Sequence, residues 1–79
     1  MNLRFSGSKL LALSKKNNPH SLSLLCGISY PTVLRYTHPG AGIQQIDLVI
    51  LGTLLSQGCE LNAEQVAQMK IGDLFDVRG

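Results

Sequence analysis

Residues 19–38 constrain the fold most, because they have the layout of two short helices held at a fixed angle. A single glycine, Gly27, separates two segments that each carry apolar residues at helical spacing. Glycine suits a backbone that takes positive φ in order to turn sharply between helices. The apolar positions are Leu22, Leu25 and Cys26 before the glycine, and Ile28, Val33 and Tyr36 after it. The pattern predicts a helix, a glycine turn and a second helix.

Ser29 and Pro31 mark the start of the second helix. The Ser29 hydroxyl can accept a hydrogen bond from the first free amides of a helix, as N-cap residues do. Pro31 then falls in the first turn, where its missing N–H is not required and its fixed φ is already helical. We therefore expect Ser29 to be the N-cap of this helix.

Composition and charge indicate one small globular domain with a basic side. The chain has 79 residues, of which 44% are hydrophobic and 15% charged. It is too apolar for a disordered chain and too short for two domains. Before Asp47 there are five basic residues and no acid, and from Asp47 onward there are five acids and two basic residues. This asymmetry can give one face a positive potential that meets a polyanion. The alternative is a random scatter of few charges.

The cysteines and the apolar runs indicate a soluble cytoplasmic protein without a membrane partner. Cys26 and Cys59 are far apart, and each lies in an apolar setting, so we expect two reduced, buried thiols. No basic leader precedes an apolar core at the N-terminus, so no signal peptide is expected. The longest apolar run, residues 48–55, is interrupted by Gly52 and Thr53 and is too short to span a membrane.

Upstream of the central unit, the sequence predicts one further helix. It would begin at Ser6 or Ser8 and end near Lys16, with Leu10, Leu11 and Leu13 as its apolar side. Asn17, Asn18 and Pro19 should end it, because a proline disfavours helical geometry in its predecessor. The next helix would then open at His20 or Ser21.

Downstream, the segment THPGAG reads as a loop, because Pro39, Gly40 and Gly42 follow in close succession. Asp47 is expected to cap a helix from Leu48 to about Gln57 that Gly58 ends. This helix is apolar around most of its circumference and should be the buried middle of the domain. The remaining elements are a capping box of Asn62 and Gln65, a helix from Ala63 to about Met69 with Val66 and Met69 inward, and a closing turn with Ile71, Leu74 and Phe75.

Three segments together resemble the helix-turn-helix proteins of the Cro and phage-repressor type, the Xre-like family. They are GISYPTVLRY, IDLVILGTLL and IGDLF, and the resemblance covers nearly the whole chain. It implies an all-α, five-helix lambda-repressor-like bundle and a bacterial, phage or mobile-element origin. In the N-terminal arm, Leu3 and Phe5 alternate with polar neighbours as in a short strand, so a short terminal β-ribbon formed by this arm or the final residues can accompany the bundle. The sequence departs from the pattern of this family at two points. Ser23 stands where the family usually has a small Ala against the turn. The segment ELNAEQVAQMK is longer than the usual link between the last helices, so the resemblance does not specify the dimer surface.

The resemblance implies sequence-specific binding of double-stranded DNA, with Tyr30 to Thr37 as the recognition helix in the major groove. Arg35 is the strongest base reader, because its fork can bond guanine O6 and N7 together. Leu34 and Pro31 would lie on the outward face of this helix, where Leu34 would contact a thymine methyl. Ser29 and Tyr30, near its N-terminus, would reach phosphate oxygens or base edges. The expected phosphate contacts are Thr32, His38, His20, Ser21, Lys9, Lys15 and Lys16. The plainer alternatives are a solvated Arg35, a Leu34 in a protein interface and a Tyr36 in the core.

Other classes of function lack the necessary residues. There is no Ser/His/Asp grouping, no paired carboxylates in an apolar pocket and no phosphate-cradling glycine loop, so we expect no enzyme and no cofactor. His20 and His38 have no Cys or carboxylate at metal-ligand spacing, so no metal is expected. No small-molecule ligand is indicated. Two hypotheses remain: a transcriptional repressor that acts as a homodimer, and an adaptor that binds a protein through Leu34, Ile71 and Phe75.

Overall fold

The computed structural model describes residues 1–38 and 45–79, which contain five α-helices and one two-stranded antiparallel sheet. The predicted loop at Pro39, Gly40 and Gly42 lies outside the described residues. None of the described helices is long and apolar enough to cross a membrane. The elements are β1 Asn2–Phe5, α1 Gly7–Leu13, α2 Pro19–Cys26, α3 Tyr30–Thr37, α4 Leu48–Thr53 with a π-helical turn Leu54–Gly58, α5 Ala63–Ala67, a 3-10 turn Ile71–Asp73 and β2 Phe75–Arg78.

Side-chain caps define where the helices begin. The Ser6 hydroxyl accepts the Lys9 N–H at α1, and Asp47 Oδ1 accepts the N–H groups of Val49 and Ile50 at α4, as predicted. The capping box of α5 is also confirmed: the Asn62 side chain accepts the Gln65 N–H, and the Gln65 side chain accepts the Asn62 N–H. These caps are local, which is why the sequence reveals them.

Two predicted boundaries between α1 and α2 are wrong. Helix α1 ends at Leu13 and not near Lys16, because Ser14 leaves helical geometry and its hydroxyl donates to the Leu11 carbonyl at 2.7 Å. Helix α2 begins at Pro19 and not at His20 or Ser21. Asn18 caps it, since Asn18 Oδ1 accepts the amides of both residues at 2.9 and 3.4 Å. A proline in the first helical turn lacks only an N–H that has no intrahelical partner.

The core lies where α1, α2 and α3 meet the π-helical turn and the sheet. Its buried hydrophobic side chains are Phe5, Leu10, Leu22, Val33, Tyr36, Leu54, Leu55, Cys59 and Leu74. The predicted inward faces of α5 and of the closing turn are largely confirmed, because Val66, Met69 and Phe75 pack half-buried against this core. Ile71 differs, since it is 57% exposed.

The predicted burial of several apolar side chains is wrong. Leu13 is 39% exposed and Leu25 43% exposed, whereas Leu10 is the buried leucine of α1 and Leu22 that of α2. Helix α4 is not buried all round either: Leu48 and Val49 are 77% and 78% exposed at its start. Its predicted regular course to Gln57 is replaced after Thr53 by the wider turn of the π-helix, which holds Leu54, Leu55 and Gly58 in the interior.

The predicted terminal ribbon is confirmed. Strands β1 and β2 pair antiparallel in the register Asn2 with Arg78, Leu3 with Val77, Arg4 with Asp76 and Phe5 with Phe75. The rings of Phe5 and Phe75 meet edge to face at 5.6 Å, and Phe5 also meets Tyr36 at 6.1 Å. The ribbon therefore closes the core over α3.

Cys59 gives the core a measurable pH dependence. Burial, together with the nearby Cys26 thiol, raises the pKa of the Cys59 thiol from 9.0 to about 11. The folded protein therefore holds the Cys59 proton at pH values where the unfolded chain has lost it. The contribution of this thiol to the free energy of unfolding is complete below pH 9 and is lost as the pH rises to about 11.

We expect the free energy of unfolding to fall across this pH range more steeply in the natural chain than in Cys59→Ala. Urea denaturation at a series of pH values measures both slopes, and the difference between them isolates the contribution of Cys59. Equal slopes in the two proteins would contradict a buried, protonated Cys59.

Candidate nucleic-acid interface

Gly27 sets the angle between α2 and α3. Its φ of 67° and ψ of 26° place it in the left-handed region, as predicted, and its N–H donates to the Ser23 carbonyl at 3.0 Å. The Ser23 hydroxyl donates across the turn to the carbonyl of Ile28. The Ser23 side chain therefore stabilises the turn through this hydrogen bond. Helices α2 and α3 pack directly against each other.

The start of α3 differs from the prediction in one detail. Ser29 occupies the N-cap position, but its hydroxyl makes no capping hydrogen bond to an amide. It lies 2.8 Å from the Thr32 hydroxyl, one turn along the helix, and the two hydroxyls share a hydrogen bond. Pro31 lies in the first turn, as predicted. The exposed start of α3 therefore presents a pair of hydroxyl groups that can each donate or accept.

One side of α3 is anchored in the core. Val33, Tyr36 and Thr37 are buried, and the Tyr36 hydroxyl accepts the Asp47 N–H at 2.8 Å, which ties α3 to the start of α4. The core position of Tyr36 is confirmed. Because positions three and four apart share a helix face, this burial places Pro31 and Arg35 on the opposite side. Both are exposed.

Leu34 differs from the expectation of an exposed apolar side chain. It is half-buried and is not among the side chains that pack against the core. Its position on α3 lies between the buried Val33 side and the exposed Arg35 side, so only part of its surface faces outward. A contact with a thymine methyl would use that remaining surface.

Arg35 carries a planar guanidinium that has no competing partner among the described residues. Among the described residues it makes no hydrogen bond and no ion pair. It lines a depression of about 390 Å³ between α3 and the start of α4, which is formed by Thr32, Arg35, Tyr36, Gln45, Ile46, Asp47 and Ile50. A guanidinium with all its N–H groups free can bond a planar acceptor pair such as guanine O6 and N7.

Gln45 is a candidate that the sequence did not reveal. It is exposed and lines the same depression as Arg35. A glutamine amide can bond adenine N6 and N7 together. In the sequence, the one indication that Gln45 lies beside α3 is its position two residues before the Asp47 cap, and this indication is weak.

The N-terminal ends of α2 and α3 come together at two of the predicted residues. The rings of His20 and Tyr30 meet edge to face, with centroids 5.5 Å apart and planes at 65°. Both residues are exposed. Ser21, next to His20, is half-buried, and its amide is held by Asn18. The contact brings the start of α2 beside the start of α3, which also carries the Ser29 and Thr32 hydroxyl pair.

The predicted phosphate contacts do not all lie together. Lys15 and Lys16 are exposed in the bend after α1, where the Lys15 N–H donates to the Gly58 carbonyl at 2.9 Å. His38 is exposed just after α3, and its N–H donates to the Leu34 carbonyl at 2.8 Å. Lys15 and Lys16 therefore precede α2, and His38 follows α3.

The charge asymmetry of the sequence is only partly kept in space. Strand β1 pairs with β2, so Arg4 lies directly opposite Asp76. Lys9 Nζ lies 3.5 Å from Asp76 Oδ1 and donates to the carbonyls of Gly72 and Phe75 at 2.9 Å. Lys9 is therefore a structural residue, contrary to its predicted phosphate contact. Of the basic residues before Asp47, Lys15, Lys16 and Arg35 are exposed and have no such neighbour among the described residues.

Within residues 1–38 and 45–79, no three His, Cys, Asp or Glu side chains come together as they would around a metal ion. Comparisons of the chain with protein-family models, with curated proteins and with solved structures return no match. The resemblance to the Xre-like family therefore remains a prediction from the residues that carry it.

Proposed function

We propose that the chain is a sequence-specific regulator of transcription, a repressor, that binds double-stranded DNA with α3 in the major groove. In this proposal the five helices are a lambda-repressor-like bundle, and α2 with α3 is its helix-turn-helix unit. The observation that carries it is Arg35: an exposed guanidinium without a described partner, on a helix whose other face is buried. The buried face of α3 holds the backbone of Arg35 in place, and its guanidinium remains available to bond.

The dimensions of α3 suit this role. An α-helix with its side chains is about 10–12 Å in diameter, and the B-DNA major groove is about 12 Å wide, so the eight residues of α3 can lie in the groove. Arg35 and Gln45 are the candidate base readers. Ser29, Thr32, Tyr30 and His20 lie where α3 enters the groove and would contact phosphates, which fix the register without reading sequence.

A single copy would bind weakly, which is why we propose a homodimer. One small DNA-binding module buries about 600–1,000 Å² of protein surface, and modules of this kind reach useful affinity by occupying two half-sites. Two-fold symmetry in the protein then requires an inverted repeat in the DNA, with half-sites about one helical turn apart.

The experiment that tests the function is selection of bound sequences from a random duplex pool at near-physiological salt, with circular dichroism as the check on folding. We expect an inverted repeat with a guanine in each half-site. We also expect the logarithm of the affinity to fall with the logarithm of salt concentration, by about 0.9 for each neutralised phosphate. A folded protein that selects no motif would overturn the proposal.

A protein-binding adaptor is the second candidate, favoured by the apolar side chains that the described surface leaves open. Ile71 is 57% exposed, and Leu48 and Val49 are exposed further. Phe75, another predicted contact, is half-buried against Phe5 and so is less available. Salt distinguishes the two functions, because an apolar contact responds little to ionic strength, whereas phosphate binding weakens steeply.

A further inference from the structure

The fold brings the two cysteines of the chain to one contact in the core. Cys26 is the last residue of α2, and Cys59 directly follows the π-helical turn Leu54–Gly58. Both thiols are free. Cys59 is buried, and Cys26 packs half-buried against the core cluster that contains it. Because α2 packs directly against the π-helical turn, both thiols lie where these two elements meet.

Gly58 lets the Cys26 thiol approach the π-helical turn closely. A Cβ at Gly58 would lie 3.5 Å from Cys26 Sγ and 3.0 Å from Leu22 Cδ2. The Cys26 sulfur therefore lies against the residue directly before Cys59, and the missing side chain leaves room for it. The Cys59 N–H donates to the Leu54 carbonyl at 3.0 Å, which is the wide hydrogen bond of a π-helical turn. This bond fixes the backbone of Cys59 at the end of the turn.

The electrostatics of Cys59 also place the two sulfurs near each other. Burial is the largest cause of its raised pKa, and Cys26 raises the pKa further, because two like charges close together in the interior oppose each other. The Lys15 ammonium acts in the other direction and lowers the pKa of Cys59. Lys15 also reaches the turn through its backbone, since its N–H donates to the Gly58 carbonyl at 2.9 Å. Two thiols and one ammonium group therefore share this place in the fold.

We infer that Cys26 and Cys59 form a reversible internal disulfide when the folded chain meets a small-molecule disulfide such as oxidised glutathione. Cys26 is the more exposed of the two, so its thiolate attacks one glutathione sulfur first, and the other glutathione leaves as a thiolate. The Cys59 thiolate then attacks the Cys26 sulfur of this mixed disulfide and releases the second glutathione. The two glutathione thiolates take up the two protons that the cysteines lose. The protein is thereby oxidised by two electrons, and the oxidant is reduced by two.

The reaction is expected to be slow at neutral pH and faster in mild alkali, because the thiolate is the nucleophile. Burial raises the pKa of both thiols. Below these pKa values, each unit of pH increases the thiolate fraction about tenfold. The nearby Lys15 ammonium favours the Cys59 thiolate, which assists the second step.

The disulfide would join the end of α2 to the π-helical turn. Cys26 directly precedes Gly27, whose positive φ sets the angle between α2 and α3. Bonded sulfurs lie about 2 Å apart, whereas unbonded heavy atoms stay roughly 3.5–4 Å apart, so closing the bond draws the two elements together. The bond also closes a long loop of chain that contains α3 and α4, which stabilises the fold by restricting the unfolded chain.

Equilibration with reduced and oxidised glutathione at about pH 8 tests this site in the full chain without DNA. Acid quenching, alkylation of the free thiols and mass spectrometry then measure the fraction of chains with an internal disulfide. We expect the equilibrium constant for its formation to be about 100-fold larger in the folded chain than in the chain unfolded in urea, because the fold holds the thiols together. Peptide mapping should show Cys26 joined to Cys59.

The matched control moves one thiol to the outside of the same helix. In the double variant Cys26→Ser with Leu24→Cys, the thiol lies at a position where the natural side chain is 75% exposed, and the loop to Cys59 has nearly the same length. We expect this variant, checked for folding by circular dichroism, to gain nothing over its value in urea. A natural chain whose equilibrium constant is the same folded and in urea would overturn the inference. So would a natural chain that forms only mixed disulfides with glutathione.

The effect on DNA binding rests on the proposed function, whereas the disulfide does not. With the selected duplex, we expect the oxidised chain to bind roughly tenfold more weakly than the reduced chain, because the end of α2 has moved, and dithiothreitol to restore the affinity. Equal affinities in the two redox states would overturn this link to α3. A chain that forms the internal disulfide but selects no DNA motif would support the redox site and overturn the repressor.

Discussion

Replacing Arg35 with alanine is expected to remove sequence discrimination from DNA binding while the fold stays intact. The fold should tolerate the change because the Arg35 side chain is exposed and makes no described hydrogen bond or ion pair. A bidentate contact between arginine and guanine contributes about 1–3 kcal/mol of discrimination. That range corresponds to a loss of about 5-fold to 150-fold in affinity for each half-site, and a dimer that occupies two half-sites loses it twice.

Fluorescence anisotropy measures this loss with two duplexes, the selected sequence and a copy in which each half-site guanine is replaced. We expect the natural protein to prefer the first duplex and Arg35→Ala to bind both equally. Arg35→Lys is the matched control for charge: it keeps the cation but loses the planar fork, so we expect general affinity to persist without the preference.

Lys70→Ala is the control for position, because it removes one positive charge from the exposed turn before β2. It should lower affinity for both duplexes slightly and leave the preference unchanged. An Arg35→Ala protein that still prefers the guanine duplex would show that another residue reads this base, and Gln45 would be the next side chain to replace.

Gly7→Ala is expected to destabilise the fold severely. Gly7 is buried in the first turn of α1, where a Cβ would lie 2.7 Å from the Thr37 carbonyl carbon and 2.9 Å from the His38 carbonyl oxygen. These are backbone atoms at the end of α3, so no side chain can rotate away. Helix α1 or α3 must move, and we expect a loss of about 3 kcal/mol or more, which is a large part of the stability of a domain this small.

Urea denaturation followed by circular dichroism measures this loss, with Gly52→Ala as the control. Gly52 lies in α4, and a Cβ there would meet no atom within 4 Å. Alanine has the higher helix propensity, so we expect the control to gain up to about 1 kcal/mol. A Gly7→Ala protein within about 0.5 kcal/mol of the natural chain would show that α1 and α3 do not approach as closely as described.

Gly7 also links stability to the candidate interface. Helix α1 packs against α3, and the close approach at Gly7 fixes the end of the helix that carries Arg35. Where Gly7→Ala remains partly folded, we therefore expect weaker DNA binding in the folded fraction, although Gly7 itself contacts no DNA.

Much of the candidate site could be predicted from the sequence because its signals are local. The positive φ of Gly27, the proline in the first turn of α3 and the buried Val33 and Tyr36 all follow from residues within one or two helical turns. The role of Ser23 could not be predicted, because its hydroxyl reaches the Ile28 carbonyl only after the turn has formed. Gln45 and Arg35 likewise meet at one depression only when α4 is in place.

The sequence by itself determined which segments are helices and where most of them begin, since a cap needs only a side chain and the amides two or three residues on. It also determined the apolar side of α3. Only the tertiary structure decided that Leu13, Leu25, Leu48 and Val49 are exposed, that Lys9 lies beside Asp76, and that Gly7 lets α1 approach α3. The physical reason is that burial and ion pairing depend on which elements from distant parts of the chain lie against a residue, and no pattern of near neighbours specifies that.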